Sequence, residues 1–287
     1  SVDPASGEDL STIASRSRGM HKTQFGLNFG AAGGGGGGGP TTSSFAMHAG
    51  EPAKEDLLDG VDVTFARYAG GAEIATLTEE AIAKFQATDP AASVPALLAI
   101  RAKLATLPTD AVVADKRAEL DRILQACLGL IVETTLPYAE VVPGETLKLR
   151  HSVAMKAKTA VKLVTVRYPT SKGGEKLDVA LTPGQALVRE VSTALPASTP
   201  ISHPYWLREE ASPGLFRVDD SKLIGRPENP LVFPVEFVFS VGGQTLVVAT
   251  EPVQVVPGAP AAQQRRPLAA IPPVSLGFPY EVELFKP

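Results

Sequence analysis

The chain has 287 residues, 27 Lys and Arg against 31 Asp and Glu, and a formal net charge of −4 at pH 7. At roughly 100–200 residues per domain that length predicts two folded units or one large one, and a 44% hydrophobic share excludes wholesale disorder. The mild acidity argues against a general nucleic-acid binder; the single cysteine, Cys127, excludes an internal disulfide framework and any multi-cysteine zinc site, and no run of ~18 apolar residues is present to span a membrane.

Ser1-Val2-Asp3-Pro4 has neither an initiator Met nor a leader pattern, so the expectation is a chain whose leader was removed or that was cut from a longer one. Residues 7–18 carry a weak helical pattern with Leu10, Ile13 and Ala14 on one face. A polar, basic stretch follows, Arg16, Arg18, His21, Lys22 and Gln24, and then seven consecutive glycines, Gly33–Gly39. Poly-glycine has no side chains to bury and maximal backbone entropy, which predicts a mobile loop. A phosphate-cradling loop needs a Lys-Ser/Thr pair at a helix start, and Pro40-Thr41-Thr42 supplies no lysine.

Residues 76–132 read as helical. Thr76-Leu77-Thr78-Glu79 fits a capping box, with Ile82 and Phe85 expected to face inward. Ser93-Val94-Pro95 opens a second helix, with proline where its missing N–H costs little, and Val94, Leu97, Leu98, Arg101 and Leu104 follow at helical spacing. A third helix is predicted from the stripe Val113, Leu120, Leu124, Cys127 and Ile131.

From Val141 onward the pattern changes to β. Thr146–Arg150 alternates with period two, Val161–Tyr168 is β-rich, and Leu231–Ser240 and Thr245–Thr250 flank a Gly242-Gly243 hairpin signal. Turns recur without long helices between strands, the signature of an antiparallel sandwich. The fold class expected is therefore α+β, an N-terminal helical region followed by an antiparallel, immunoglobulin-like β-sandwich. The expected divisions are 1–50 (helix and flexible Gly-rich loop), 51–137 (helical region), 138–257 (sandwich) and 258–287 (Pro-rich linker and the start of a further strand).

Chemistry-bearing patterns are sparse. The four histidines, His21, His48, His151 and His203, include no pair with metal-ligand spacing, and no Gly-x-Ser-x-Gly elbow occurs. His151 reads as a satisfied structural histidine, and Cys127, on the apolar stripe, as an inert packed thiol. Glu209-Glu210 and Asp219-Asp220 read as solvated turns, because adjacent strand residues point to opposite faces. Tyr205-Trp206, with the chain's one tryptophan, has two readings: an aromatic platform for a sugar ring, or a plug in the core. No catalytic constellation is visible.

Several stretches together resemble the PIG-L/LmbE-type zinc-dependent N-deacetylase family. Ile13–Gly26 looks like the Ser-Arg-Ser-x-His-Lys-Ser-Gln-Gly stretch that follows the catalytic domain in its long bacterial members, and Leu58–Phe65 (LDGVDVTF) looks like their Phe-x-Gly-Ile-Asp-Thr-Thr-Trp. Pro90–Leu98 fits their helix opening, and Tyr205-Trp206-Leu207 with Leu223–Pro230 (LIGRPENP) looks like a motif of the downstream β domain. The family's His-Pro-Asp-Asp and later His-x-x-His are absent, so its catalytic residues map onto no position here.

The resemblance implies an accessory, non-catalytic C-terminal region of an N-acetyl-sugar deacetylase, with zinc confined to the parent's catalytic domain and no cofactor in this chain. Arg16, Arg18, His21, Lys22 and Gln24 would then contact substrate at the mouth of that active site, and Tyr205 and Trp206 would contact glycan. The expected partners are an N-acetylated sugar or glycan and a catalytic deacetylase domain in cis or in trans, with no nucleic acid and no membrane span. The family also implies a periplasmic or extracellular setting. The alternative is a stand-alone carbohydrate- or protein-binding module of the cell envelope, or a subunit of a larger assembly.

Overall fold

Helix α1 (Leu10–Gly19) begins where the Asp9 carboxylate accepts the Ser11 N–H at 2.8 Å, and it ends with Arg16 and Arg18 in its last turn, cations at the negative end of the helix dipole. The computed structural model describes residues 2–3, 6–20, 46, 48–50, 53–256 and 264–274. The chain divides into two units, Ser1–Val61, which holds α1, and Asp62–Pro287, which holds everything below. The expected glycine loop and the strand expected at Val282–Phe285 lie outside the described residues.

The larger unit opens with three helices. α2 (Ala72–Ala83) starts one turn before the expected capping box. Thr78 is mid-helix, and its hydroxyl donates back to the Ile74 carbonyl at 2.7 Å instead of capping a terminus. Ile74 is buried, but Ile82 and Phe85 are exposed, contrary to the inward orientation expected from the sequence. α2 is an outer member of the layer; Ile82 falls on its open flank, and Phe85 lies beyond its end at Ala83. α3 (Val94–Leu104) has its proline in the first turn and buries Val94, Leu97, Ile100 and Leu104.

α4 (Ala111–Leu128) is capped by Asp110, whose Oδ1 accepts the Val113 N–H at 2.8 Å while Oδ2 accepts the Tyr68 hydroxyl at 2.6 Å. It buries Val113, Leu120, Leu124 and Leu128. Gly129, in the left-handed region at φ 57°, stops the helix; a Cβ there would also lie 2.8 Å from Lys156 Cβ. Ile131, expected on the helical stripe, is instead the exposed first residue of a strand.

That strand, β1 (Ile131–Thr135), precedes the point where β structure was expected to begin. β2 (Glu140–Val141), β3 (Thr146–Ala154), β4 (Val161–Tyr168), β5 (Gly173–Ala180) and β6 (Leu187–Ala194) follow, then β7 (Val235–Val241), β8 (Gln244–Thr250) and β9 (Val253–Val256). One sheet runs β10-β9-β1-β3-β6 and another β5-β4-β7-β8, where β10 is Gln264–Pro267. Pairing is antiparallel except for β1 with β9 and the small ladder between β2 and β11 (Ala269–Ala270). The fold is α+β with largely antiparallel sheets.

The alternation read in the sequence is realised on β3, where Leu147, Leu149, His151 and Val153 are buried and Thr146, Lys148 and Arg150 are exposed. On β7, Phe237 and Phe239 are fully buried. Gly242 and Gly243 both take positive φ, 54° and 79°, the requirement of a two-residue type I′ hairpin. The Pro/Gln-rich stretch expected to be a linker is structured over 264–271: β10 pairs with β9, and Leu268 and Ala270 are buried.

The helices cover a sheet edge. Arg101 on α3 binds Asp121 on α4 (Nε–Oδ1, 2.6 Å), and its Nη2 donates to the Thr245 carbonyl on β8 at 2.7 Å. Gln244 returns a bond to the Leu98 carbonyl at 2.8 Å. The Arg101 bond occupies a backbone carbonyl that the edge strand β8 would otherwise leave open.

Candidate functional site

His151 is the most perturbed titratable group of the sheets. Its Nδ1 meets the Thr134 hydroxyl at 3.0 Å and its Nε2 the Tyr168 hydroxyl at 2.8 Å, and the Phe237 ring packs edge-on to it at 5.3 Å. Burial lowers its pKa to about 4 and raises that of Tyr168 to about 12. Both ring nitrogens are satisfied and the ring is buried, so this is a structural, neutral imidazole, in line with the packed reading of the sequence.

The long connection between β6 and β7 is built differently. Pro204 leads into a short 3-10 turn, Tyr205–Leu207. Tyr205 is buried: its N–H donates to Asn229 Oδ1 at 2.9 Å and its hydroxyl donates to the Arg226 carbonyl at 3.0 Å. Asn229 completes the clamp by donating from Nδ2 to the His203 carbonyl at 3.0 Å. The Tyr205 and Trp206 rings meet edge to face, 4.9 Å apart at 89°. Tyr205 is thus the fastener, and Trp206 is the half-buried member of the pair. At the far end of the connection, Glu251 accepts the Val232 N–H at 2.9 Å, and burial raises the pKa of that carboxyl. Between these anchors Leu215, Phe216 and Ile224 are exposed.

The two expected site clusters fare unequally. Tyr205 and Trp206 are adjacent and ordered by the clamp, but they do not form a platform of two exposed faces. Arg16 pairs with Glu8 at 2.6 Å, which holds that carboxyl below its usual range, and Arg18 lies exposed on the same helix. His21, Lys22 and Gln24 lie outside the described residues. Sequence reasoning missed Asn229 as the partner of Tyr205; the only signal was that both stand in the quoted β-domain motifs.

The remaining candidates are structural. Asp220 accepts the Lys222 N–H at 3.0 Å and Asp219 the Asp220 N–H at 3.0 Å, so this acidic pair serves a turn. Cys127 is half-buried with its pKa raised by burial, which keeps the thiol protonated and unreactive. Among the described residues no group of three or more His, Cys, Asp or Glu is placed to hold a metal ion. No described helix is long and apolar enough to cross a membrane.

No protein-family model matches the chain, and no curated protein does. Among solved structures, it is similar to the Pseudomonas fluorescens alkylpurine DNA glycosylase AlkC bound to DNA containing an abasic site analog, at 12% identity and a TM-score of 0.20. That match covers 57% of this chain and 46% of the other, and a likeness of this size transfers neither fold nor function.

Proposed function

We propose that this chain is the non-catalytic C-terminal region of a PIG-L/LmbE-type N-acetyl-sugar deacetylase, serving substrate access or glycan contact. One observation supports this above the others. Two of the stretches that resemble the family, Tyr205–Leu207 and Leu223–Pro230, are separate in sequence but joined by the Tyr205–Asn229 and Tyr205–Arg226 bonds. A shared motif that serves one clamp is what a common β domain requires. Zinc and the hydrolytic step belong to a catalytic domain in cis or in trans; among the described residues of this chain no group of three or more His, Cys, Asp or Glu is placed to hold a metal ion. A periplasmic or extracellular setting follows from the same reading.

In this reading the two larger sheets are the layers of an immunoglobulin-like sandwich. Its support is the strand order: β1, β3 and β6 lie in one sheet, β5, β4, β7 and β8 in the other, and buried residues of both belong to one core. Trp206 is the sugar-contacting ring, held at its edge by Tyr205. Because it is the only tryptophan, its fluorescence reports the site directly. Titration with N-acetylglucosamine oligomers is expected to give a saturable emission change, with calorimetric binding lost in Trp206→Ala. An unchanged spectrum, or binding that survives Trp206→Ala, overturns the glycan contact.

The second reading is a protein-binding module. The exposed Leu215, Phe216 and Ile224 on the anchored loop favour it, since large apolar groups held in water on a fastened loop suit a protein partner. A soluble catalytic domain of the family that binds this chain, and no longer binds after Phe216→Ser, would support it over glycan contact.

A further inference from the structure

Three helices of the larger unit enclose an apolar groove of about 350 Å³. α3 packs against both neighbours and supplies Leu97, Ile100 and Leu104, while α2 and α4 flank it. Ile82 and Phe85 stand on the lip, 70% and 52% exposed. The groove offers a small ligand a single free hydroxyl, that of Ser93, which makes no capping bond at the start of α3. The Thr78 hydroxyl is bound to the Ile74 carbonyl, and Lys116 and Glu119 are bound to each other at 2.7 Å. Small-molecule sites need a few such groups to fix orientation, and a ligand inside the groove would leave the outer faces of Ile82 and Phe85 wet. A protein surface covers both.

The outer stripe of α4 identifies the surface that fits. Val112, Lys116, Glu119 and Ile123 fall on one helix face at spacings of 4, 3 and 4, in the order apolar, cation, anion, apolar. Val112 is 42% and Ile123 49% exposed, so both ends of the stripe are open. Read backwards, the order keeps its apolar ends and exchanges cation and anion, so it is complementary to itself. When two such helices meet antiparallel, Val112 faces Ile123 of the other copy, and the Lys116–Glu119 pair of each copy meets that of the other with cation opposite anion, on both sides of the axis. An isologous interface requires this self-complementarity.

We propose that this helical face is the interface of a homodimer, with α4 crossing α4 antiparallel about a two-fold axis between Arg117 and Ala118. The apolar ends and the Ile82–Phe85 lip supply the affinity. The charge pairs set register, because exposed ion pairs add little energy while like charges brought together repel. This inference does not rest on the deacetylase reading.

Sedimentation equilibrium on the whole chain tests it. The wild type is expected to be a dimer in the micromolar range. Ile123→Asp is expected to raise the dimer Kd by about 30-fold or more, because it sets a charge in an apolar contact that supplies affinity. Lys116→Glu and Glu119→Lys should each weaken self-association, and an equimolar mixture of these two variants should restore it as a heterodimer. The double variant Lys116→Glu/Glu119→Lys should dimerise like the wild type. Circular dichroism melts check that each variant is folded. A wild-type monomer throughout that range overturns the proposal, as does a dimer that neither single charge reversal weakens.

Discussion

The sheets and the helical layer of the larger unit use apolar residues in opposite ways. On β3, β4 and β7 nearly every large apolar side chain is buried, and the one histidine among them has both nitrogens satisfied. On α2 and α4, Ile82, Val112 and Ile123 remain exposed beside an apolar groove, although the same helices bury Ile74, Val113 and Leu124. A sheet pairs its backbone groups with neighbouring strands and spends one whole face on the core. A helix satisfies its backbone internally, so its outer stripe is free to carry a different pattern. The sheets hold themselves together; the helical layer and the β6–β7 connection present surfaces.

The sharpest way to break this contrast is to empty the sheet core. Phe237→Ala removes a fully buried ring that also packs against His151, and it should cost about 3–5 kcal/mol in urea unfolding. A loss under 1 kcal/mol would show that the sheets are not the stable element.

Next comes acid. His151 has a native pKa of about 4, below its ordinary value of 6.5, so the unfolded chain binds the extra proton first. The stability it contributes is complete above pH 6.5 and is lost as pH falls from there towards 4, about 3 kcal/mol over that window. Unfolding free energies measured at pH 7 and pH 4 should differ by more in the wild type than in His151→Gln, which cannot take up that proton.

On the helical side the expected effects are smaller. Asp110→Ala removes the α4 cap and the Tyr68 acceptor together, and should cost about 1 kcal/mol by thermal melting. Ile82→Ser, in dilute chain, should change stability by no more than about 0.5 kcal/mol, since its side chain is largely in water already. A larger destabilisation would place Ile82 in the core after all.

The sheets were also the more legible part of the sequence. Alternation at Leu147, Leu149 and Val153 and the Gly242-Gly243 turn are local signals, and local backbone geometry realises them. The misses involve competition or distance. Ile131 continued the helical stripe by spacing, but Gly129 ends α4 two residues earlier. Thr76–Glu79 imitates a helix start, while the Thr78 hydroxyl finds its partner inside the helix at Ile74. Residues 264–270 look like a linker because β10 is polar and exposed along its length, and because Ala269 and Ala270 find their partner at β2, far away in sequence. For the same reason Tyr205 was visible as an aromatic but not as the partner of Asn229 and Arg226. The self-complementary stripe of α4 stands in the sequence, and it gained meaning only once the structure placed Val112 and Ile123 in the open.

Amide hydrogen exchange on the whole chain tests the division most directly. It should be recorded at low and high concentration, and again with an N-acetylglucosamine oligomer. The account predicts added protection over 111–128 with concentration and over 203–229 with the sugar, while 147–153 and 235–241 stay unchanged and slow. Protection that changes only in the sheet strands, or in neither surface, would contradict it.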